Sequence, residues 1–124
     1  MIFEKLEKIQ PKIFHTIIIG SGPAGITTAL KLEKQGLDTL IIEAGSEKSS
    51  PNNLKYLDGI TTGDNYTDLK FTRLRQFGGT SGHWGGVCDA LNKSDFNDWP
   101  INKKDLDQYL DETKKILNIR NDFY

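Results

Sequence analysis

Gly20-Ser21-Gly22-Pro23-Ala24-Gly25 has the glycine spacing GxGxxG and stands between a β-branched run and an amphipathic pattern. In this spacing the first glycine allows a tight turn, and the second lets a pyrophosphate approach the backbone. The third glycine lets a helix pack closely on a sheet. Phosphates would then lie at the positive end of the helix dipole. The motif predicts a dinucleotide site with these cofactor-binding residues: Gly20, Ser21, Gly22, Pro23, Ala24 and Gly25.

The sequence on either side of the motif has the context that such a site requires. The run 13–19 is nearly continuous in β-branched residues, which predicts a parallel strand buried on both faces. Residues 24–35 place apolar side chains at helical spacing, and Gly36 follows where a glycine commonly ends a helix. A strand followed directly by a helix is therefore expected around the glycines.

A second strand and an acidic residue complete the pattern. Residues 39–42 are apolar and predict a strand, and Glu43 follows with 17 residues between it and Gly25. An acidic residue at this distance accepts hydrogen bonds from an adenosine ribose. We therefore predict an α/β fold in which residues 13–43 form one Rossmann-like βαβ unit. The same features serve FAD and NAD, so a small NAD-binding module is an alternative.

Composition limits the classes of partner and compartment. The 124 residues include 16 Lys and Arg against 17 Asp and Glu, a net charge of −1 that indicates neither a nucleic acid partner nor an anionic membrane surface. Residues 1–8 are charged and lack the apolar region of a signal peptide, and no apolar stretch approaches the roughly 20 residues of a membrane span. Cys88 is the single cysteine, which suits a reducing compartment. A cytoplasmic location is expected, and no metal site is predicted.

A second glycine cluster lies at residues 77–88, where five glycines occupy the nine positions 78–86. Glycine is entropically costly to order, so this density indicates that a ligand needs bare backbone there. A flat, bulky ligand lying on main-chain N–H groups would explain it. The alternative is a surface loop with turn glycines, which His83 and Trp84 in its middle disfavour. Further along the chain, residues 103–117 are predicted to form a helix capped by Asn102.

Together these motifs carry a family resemblance. GSGPAG with Glu43, the stretch FGGTSGHWGG, Asp95-Phe96 and Trp99-Pro100-Ile101 resemble the N-terminal part of a glucose–methanol–choline (GMC) oxidoreductase. The likeness covers about residues 13–118 and is closest to the pyranose oxidase and sugar dehydrogenase branch. It implies FAD as cofactor and hydride transfer from a CH–OH carbon of an alcohol or sugar to flavin N5.

The resemblance also implies roles for individual residues. Gly20, Ser21, Gly22 and Glu43 would hold the ADP half of FAD. The second cluster would lie along the pyrophosphate and isoalloxazine through Gly79, Thr80, Ser81, His83, Trp84, Gly85, Gly86 and Val87. In pyranose oxidase-like proteins a histidine matching His83 is bonded covalently to the flavin. A covalent link and a non-covalent contact at His83 both remain open.

The chain also departs from the family, whose members are several times longer. Their catalytic histidine lies near the far C-terminus, and neither His15 nor His83 matches it, so no catalytic residue is predicted. The substrate domain is absent, and a doubly wound sheet would need further strands. We therefore expect 1–124 to be the N-terminal part of an FAD-binding domain, either a fragment or one piece of a split protein with a companion chain. It would not be active alone, and a non-enzymatic remnant that binds a partner is the remaining alternative.

Overall fold

A computed structural model of the chain describes residues 2–9, 11–83, 85 and 87–119. The predicted site residues Trp84 and Gly86 lie outside this part. The chain divides into two compact units, Met1–Trp84 and Gly85–Tyr124. The first contains β1 (Thr16–Ile19), α1 (Pro23–Lys34), β2 (Thr39–Ile42), α2 (Pro51–Leu54) and α3 (Leu69–Thr72), and the second contains α4 (Lys103–Asp107) and α5 (Leu110–Leu117). Single 3-10 turns lie at Leu6–Lys8, Lys55–Leu57, Gly79–His83 and Lys93–Phe96.

The first unit is built on a parallel βαβ arrangement. Strands β1 and β2 pair in parallel, with Thr16 opposite Thr39 and Ile19 opposite Ile42. Between them, α1 starts with a proline in its first turn, and the chain leaves the helix through Gly36 at φ +76°. A glycine is favoured there because other residues are strained at positive φ. The predicted α/β fold and its Rossmann-like βαβ unit are confirmed.

Strand β1 is shorter and more exposed than the sequence predicts. It begins at Thr16 instead of residue 13. The register with β2 starts at Thr16 and Thr39, and the N–H groups of His15 and Thr16 both donate to the Asp38 carbonyl, at 3.0 and 3.3 Å. Ile17 and Ile19 are 57% and 88% exposed, so the prediction of burial on both faces is wrong. Helix α1 packs on one face of this two-stranded sheet, and the described residues of the unit leave these two side chains open to solvent.

The helix predicted over 103–117 is divided into α4 and α5. Its start is as expected, because Asn102 and Asp105 form a capping box. At the break, the Gln108 side chain donates to the Asp105 carbonyl at 2.9 Å, the acceptor that the Tyr109 N–H would use in a continuous helix. The Tyr109 N–H donates to the Leu106 carbonyl instead. A side-chain hydrogen bond thus accompanies the end of α4, one turn after the helix begins.

Little of the described chain is buried. Phe96 is the one apolar side chain among the described residues that is less than a tenth exposed, and its ring meets Trp99 edge to face at 5.6 Å between centroids. Ser21 is 0% exposed and is the described side chain most completely removed from solvent. A polar group therefore lies at the best-protected point of the first unit. Among the described residues, no helix is long and apolar enough to span a bilayer.

Candidate dinucleotide-binding site

The three glycines of the motif differ in what surrounds them. Gly20 has φ +96°, which a residue with a Cβ adopts only with strain. A Cβ on Gly25 would lie 2.2 Å from the Gly20 carbonyl oxygen, so only glycine lets α1 approach the turn this closely. A Cβ on Gly22 would meet nothing within 4 Å. The space beside Gly22 is open, and the close packing expected at Gly25 is confirmed.

The first turn of α1 is suited to an anion. Its N-cap is Gly22, no side chain caps it by a hydrogen bond, and the turn has no acidic residue. Pro23 occupies a first-turn position, where its missing N–H costs no hydrogen bond. Backbone N–H groups at a helix start attract negative charge through the helix dipole. An open space beside uncapped N–H groups fits the pyrophosphate of a dinucleotide.

Glu43 is anchored to the glycine motif by its carboxylate. Its Oε2 accepts from the Ser21 N–H at 2.9 Å and from the Ser21 hydroxyl at 2.6 Å. Its Oε1 accepts from the Gly45 N–H at 2.7 Å. A carboxylate has about four acceptor positions, so these bonds fix its orientation and leave limited capacity for a ribose hydroxyl. The end of β2 and the start of α1 are joined through this side chain.

These contacts keep Glu43 ionised. Partial burial raises the pKa of the Glu43 carboxyl, but the bonds from the Ser21 hydroxyl and from the N–H groups of Ser21, Gly45 and Ala44 outweigh it. The net effect lowers the pKa below the ordinary value of 4.5. Hydrogen bonds to the charged form stabilise that form. At neutral pH the side chain is a fixed negative acceptor beside the turn.

The start of the second glycine cluster, Gly78 and Gly79, packs against the first cluster. The Gly78 N–H donates to the Ser21 hydroxyl at 3.1 Å, across 57 positions of sequence. Gly79 has φ +64°, and a Cβ there would lie 3.4 Å from the Gly22 Cα. Two segments that the sequence treats separately therefore form one backbone surface, which includes Gly22 and Gly79.

Hydroxyl groups inside the second cluster shape its turn. Ser81 donates to the Gly78 carbonyl at 2.6 Å, and the Thr80 hydroxyl accepts from the Leu74 N–H at 3.1 Å. His83 ends the 3-10 turn and is exposed. In the second unit, Gly85 has nothing within 4 Å of its Cβ position and Val87 is exposed. Contacts of these residues with a cofactor remain predictions.

Sequence reasoning missed Gly45 and Gln76. A Cβ on Gly45 would lie 2.3 Å from the Arg75 carbonyl carbon, so the loop after β2 touches the segment before the second cluster. Ser46 and Gln76 form an isolated parallel bridge, and the Gln76 side chain accepts from the Ser49 N–H at 2.8 Å. The partners are about thirty positions apart, so no local pattern signals the contact. The only available hint is a glycine two residues after Glu43.

The part of the chain that contains the glycine motif and Glu43 is similar to a known family. Residues 15–61 match a family described as an FAD binding domain. The cofactor of this segment is FAD. The open space at Gly22 and the uncapped start of α1 agree with that assignment.

Curated relatives match a longer part of the chain. Thioredoxin reductases of Listeria innocua and Listeria monocytogenes are each 32% identical over 93 residues, which cover 70% of this chain and 28% of theirs. The thioredoxin reductase of Bacillus subtilis is 26% identical over 92 residues, or 70% of this chain and 29% of its own. The chain thus spans less than a third of the length of the curated relatives it matches. No solved structure matches it.

These similarities support the flavoprotein assignment that the GMC resemblance implied, but not the GMC branch. The matched segment contains the GxGxxG motif, α1 and Glu43, which the resemblance shares with other FAD-binding domains. The matched family ends at residue 61, before the second glycine cluster begins. The resemblance to the GMC branch therefore depends on the second cluster and on Asp95-Phe96 and Trp99-Pro100-Ile101, and activity on CH–OH donors remains a prediction.

Proposed function

We propose that this chain is the FAD-binding, N-terminal part of a flavin-dependent oxidoreductase that acts on CH–OH groups of alcohols or sugars. The observation that carries the proposal is the contact between the two glycine clusters, through the Gly78 N–H on Ser21 and through Gly79 beside Gly22. A nicotinamide module needs only the first cluster. A second bare backbone surface next to the pyrophosphate position is suited to the flavin half of FAD.

The roles of the residues follow from this arrangement. The first turn of α1 would receive the pyrophosphate beside Gly22, and Glu43 would accept from the adenosine ribose. Within the second cluster, the stretch from Gly79 to Val87 would lie along the isoalloxazine with its backbone N–H groups. When bound, FAD supplies the hydride acceptor at its N5 atom. Backbone N–H groups beside the ring would stabilise the negative charge that develops on reduction.

The chain's own histidines do not supply a catalytic base. The exposed His15 accepts from the Asp38 N–H through Nδ1 at 3.2 Å. The exposed His83 lies in the second cluster, where its contact with the flavin would be either covalent or non-covalent. We propose that the base and the substrate domain come from the remainder of a longer protein or from a companion chain that completes the sheet. The predicted cytoplasmic location also remains a proposal.

A second candidate is an FAD- and NAD(P)-dependent oxidoreductase. The similarity to thioredoxin reductases favours it, since three of these enzymes match 70% of the chain. The two candidates differ in the electron donor. An alcohol or sugar would reduce the flavin in the first, and a reduced nicotinamide in the second.

The experiment is anaerobic reduction of the bound flavin in the native assembly, purified through an affinity tag on this chain. Absorbance of the oxidised flavin is followed after mixing with a panel of sugars and simple alcohols, or with NADPH and NADH. Bleaching by a sugar or alcohol but not by reduced nicotinamides supports the proposal. Bleaching by a reduced nicotinamide alone supports the second candidate, and a tagged assembly without flavin contradicts both.

A further inference from the structure

Ser21 is the point at which the two glycine clusters meet. Its side chain is 0% exposed, which is unusual for a polar residue. Burial of a hydroxyl is unfavourable unless its hydrogen bonds are made, and here both kinds are made. The hydroxyl donates to Glu43 Oε2 at 2.6 Å and accepts from the Gly78 N–H at 3.1 Å.

The two bonds lead in opposite directions along the proposed cofactor. Glu43 belongs to the adenosine end, where its carboxylate is also held by the Ser21 N–H and the Gly45 N–H. Gly78 directly precedes the 3-10 turn Gly79–His83, and its carbonyl accepts from the Ser81 hydroxyl. A bond that fixes Gly78 therefore fixes the start of the segment assigned to the flavin.

We propose that Ser21 is a positioning residue that couples the adenosine end of the site to the flavin end through its buried hydroxyl. This inference rests on the proposed function. In the sequence, Ser21 is assigned to the ADP half of FAD as a cofactor-binding residue. Its burial and its two protein partners give it a different role, because its hydroxyl orders the chain around the cofactor.

The Ser21 N–H bonds only Glu43, whereas the Ser21 hydroxyl bonds both Glu43 and the Gly78 N–H. Without it, Glu43 keeps the backbone N–H donors of Ser21, Gly45 and Ala44, whereas Gly78 loses the acceptor that holds it against the first cluster. The two ends of the site should therefore respond unequally to its removal. ADP contains the adenosine and the pyrophosphate but no isoalloxazine, so comparing ADP with FAD separates the two ends.

The test measures equilibrium binding of FAD and of ADP to the chain by titration calorimetry, for wild type and Ser21→Ala. Loss of a hydrogen bond that positions the flavin segment should lower FAD affinity about 10- to 100-fold. Loss of one of the four hydrogen bonds that orient Glu43 should lower ADP affinity at most about fivefold. The Gly78 amide resonance should also shift in Ser21→Ala.

Two further variants make the comparison specific. Ser21→Cys keeps nearly the same volume but has a weak donor and acceptor, so it should resemble Ser21→Ala. Thr28→Ala is the matched control, since it removes an exposed hydroxyl of α1 that donates to the Ala24 carbonyl. It should change neither affinity and leave the Gly78 amide in place.

The outcomes separate this inference from the proposed function. A wild-type chain that binds ADP but gains nothing from the flavin half of FAD contradicts the proposed function, and the inference falls with it. Wild-type binding of FAD with equal losses for FAD and ADP in Ser21→Ala, or with no loss, overturns the coupling alone. Unfolding of both Ser21 variants, seen by circular dichroism, would assign Ser21 a structural role only and also overturn it.

Discussion

Glu43 and Ser21 are joined by two hydrogen bonds to a single carboxylate oxygen, one from the Ser21 backbone N–H at 2.9 Å and one from its hydroxyl at 2.6 Å. The pair connects the carboxyl end of β2 to the turn that opens α1. The residue that the sequence assigns to ribose recognition is therefore also part of the framework of the site. Changes at Glu43 should affect both binding and stability.

Replacement of Glu43 tests its role as an acceptor. Glu43→Gln should weaken FAD binding by about 1–3 kcal/mol, because a charged acceptor is lost and an amide group then faces the Ser21 N–H. Glu47→Gln is the matched control, since it removes an exposed carboxylate four positions away. Calorimetric titration with FAD measures both. Equal affinities for the two variants would contradict the assignment of Glu43.

The lowered pKa of Glu43 predicts how stability depends on pH. Since the folded pKa lies below the ordinary value of 4.5, the contribution of Glu43 is fully present above that value and is lost as the pH falls through the folded pKa. Urea unfolding at a series of acidic pH values should show less decline in Glu43→Gln than in wild type. The pKa of the exposed Asp38 carboxyl is also lowered, chiefly by its bond with Lys12. The same unfolding series on Asp38→Asn therefore serves as the comparison for a carboxylate outside the glycine motif. A decline in Glu43→Gln as large as that of wild type would refute the prediction.

Gly22 and Gly25 should respond differently to a side chain. Gly25→Ala places a Cβ 2.2 Å from the Gly20 carbonyl and should destabilise the fold by about 1–3 kcal/mol. A Cβ on Gly22 meets nothing within 4 Å in the protein, so Gly22→Val should introduce no clash at this atom and should lose FAD because the side chain fills the pyrophosphate position. Thermal unfolding and flavin retention measure the two effects. Normal FAD binding by Gly22→Val would be incompatible with the placement of the cofactor.

Gly45 tests the contact that holds the second cluster in place. Gly45→Ala places a Cβ 2.3 Å from the Arg75 backbone and should displace this segment, at a cost of about 1–3 kcal/mol in unfolding free energy and with weaker FAD binding. Gly59→Ala is the matched control, since a Cβ there meets nothing within 4 Å. Urea denaturation and FAD titration of both variants provide the measurement. Identical behaviour of the two would argue against a role for the Gly45 contact.

The small core predicts a strong dependence of folding on the cofactor. Among described residues Phe96 is the one buried apolar side chain, while Ile17 and Ile19 are exposed, so little apolar burial offsets chain entropy. Thermal unfolding of the chain without FAD should be broad, and added FAD should raise the midpoint by binding the folded state. No alcohol or sugar should be oxidised by the chain alone. A sharp transition without FAD, unchanged by FAD, would contradict this account.

Local chemistry made the βαβ unit predictable from sequence. The positive φ of Gly20 and the close contact at Gly25 are what the glycine spacing requires, and Asn102 caps α4 as its position suggests. The break before α5 was not predictable from periodicity, because the apolar spacing continues across it and does not signal the side-chain bond from Gln108 to the Asp105 carbonyl that accompanies it.

Contacts between segments that are distant in the sequence were also not predictable. Burial of Ser21 depends on Gly78, 57 positions away, and the exposure of Ile19 depends on which layers cover the sheet. Neither depends on a local pattern, since both are set by tertiary contacts. The sequence identified the residues of both glycine clusters but not the hydroxyl that joins them.

The most direct test of FAD binding beside Gly22 is an FAD titration of the purified wild-type chain and of Gly22→Val. Flavin absorbance is measured after removal of unbound cofactor. We expect one FAD retained per wild-type chain, with visible flavin bands, and none retained by Gly22→Val. Absence of flavin from the wild-type chain, or equal retention by the two proteins, would contradict it.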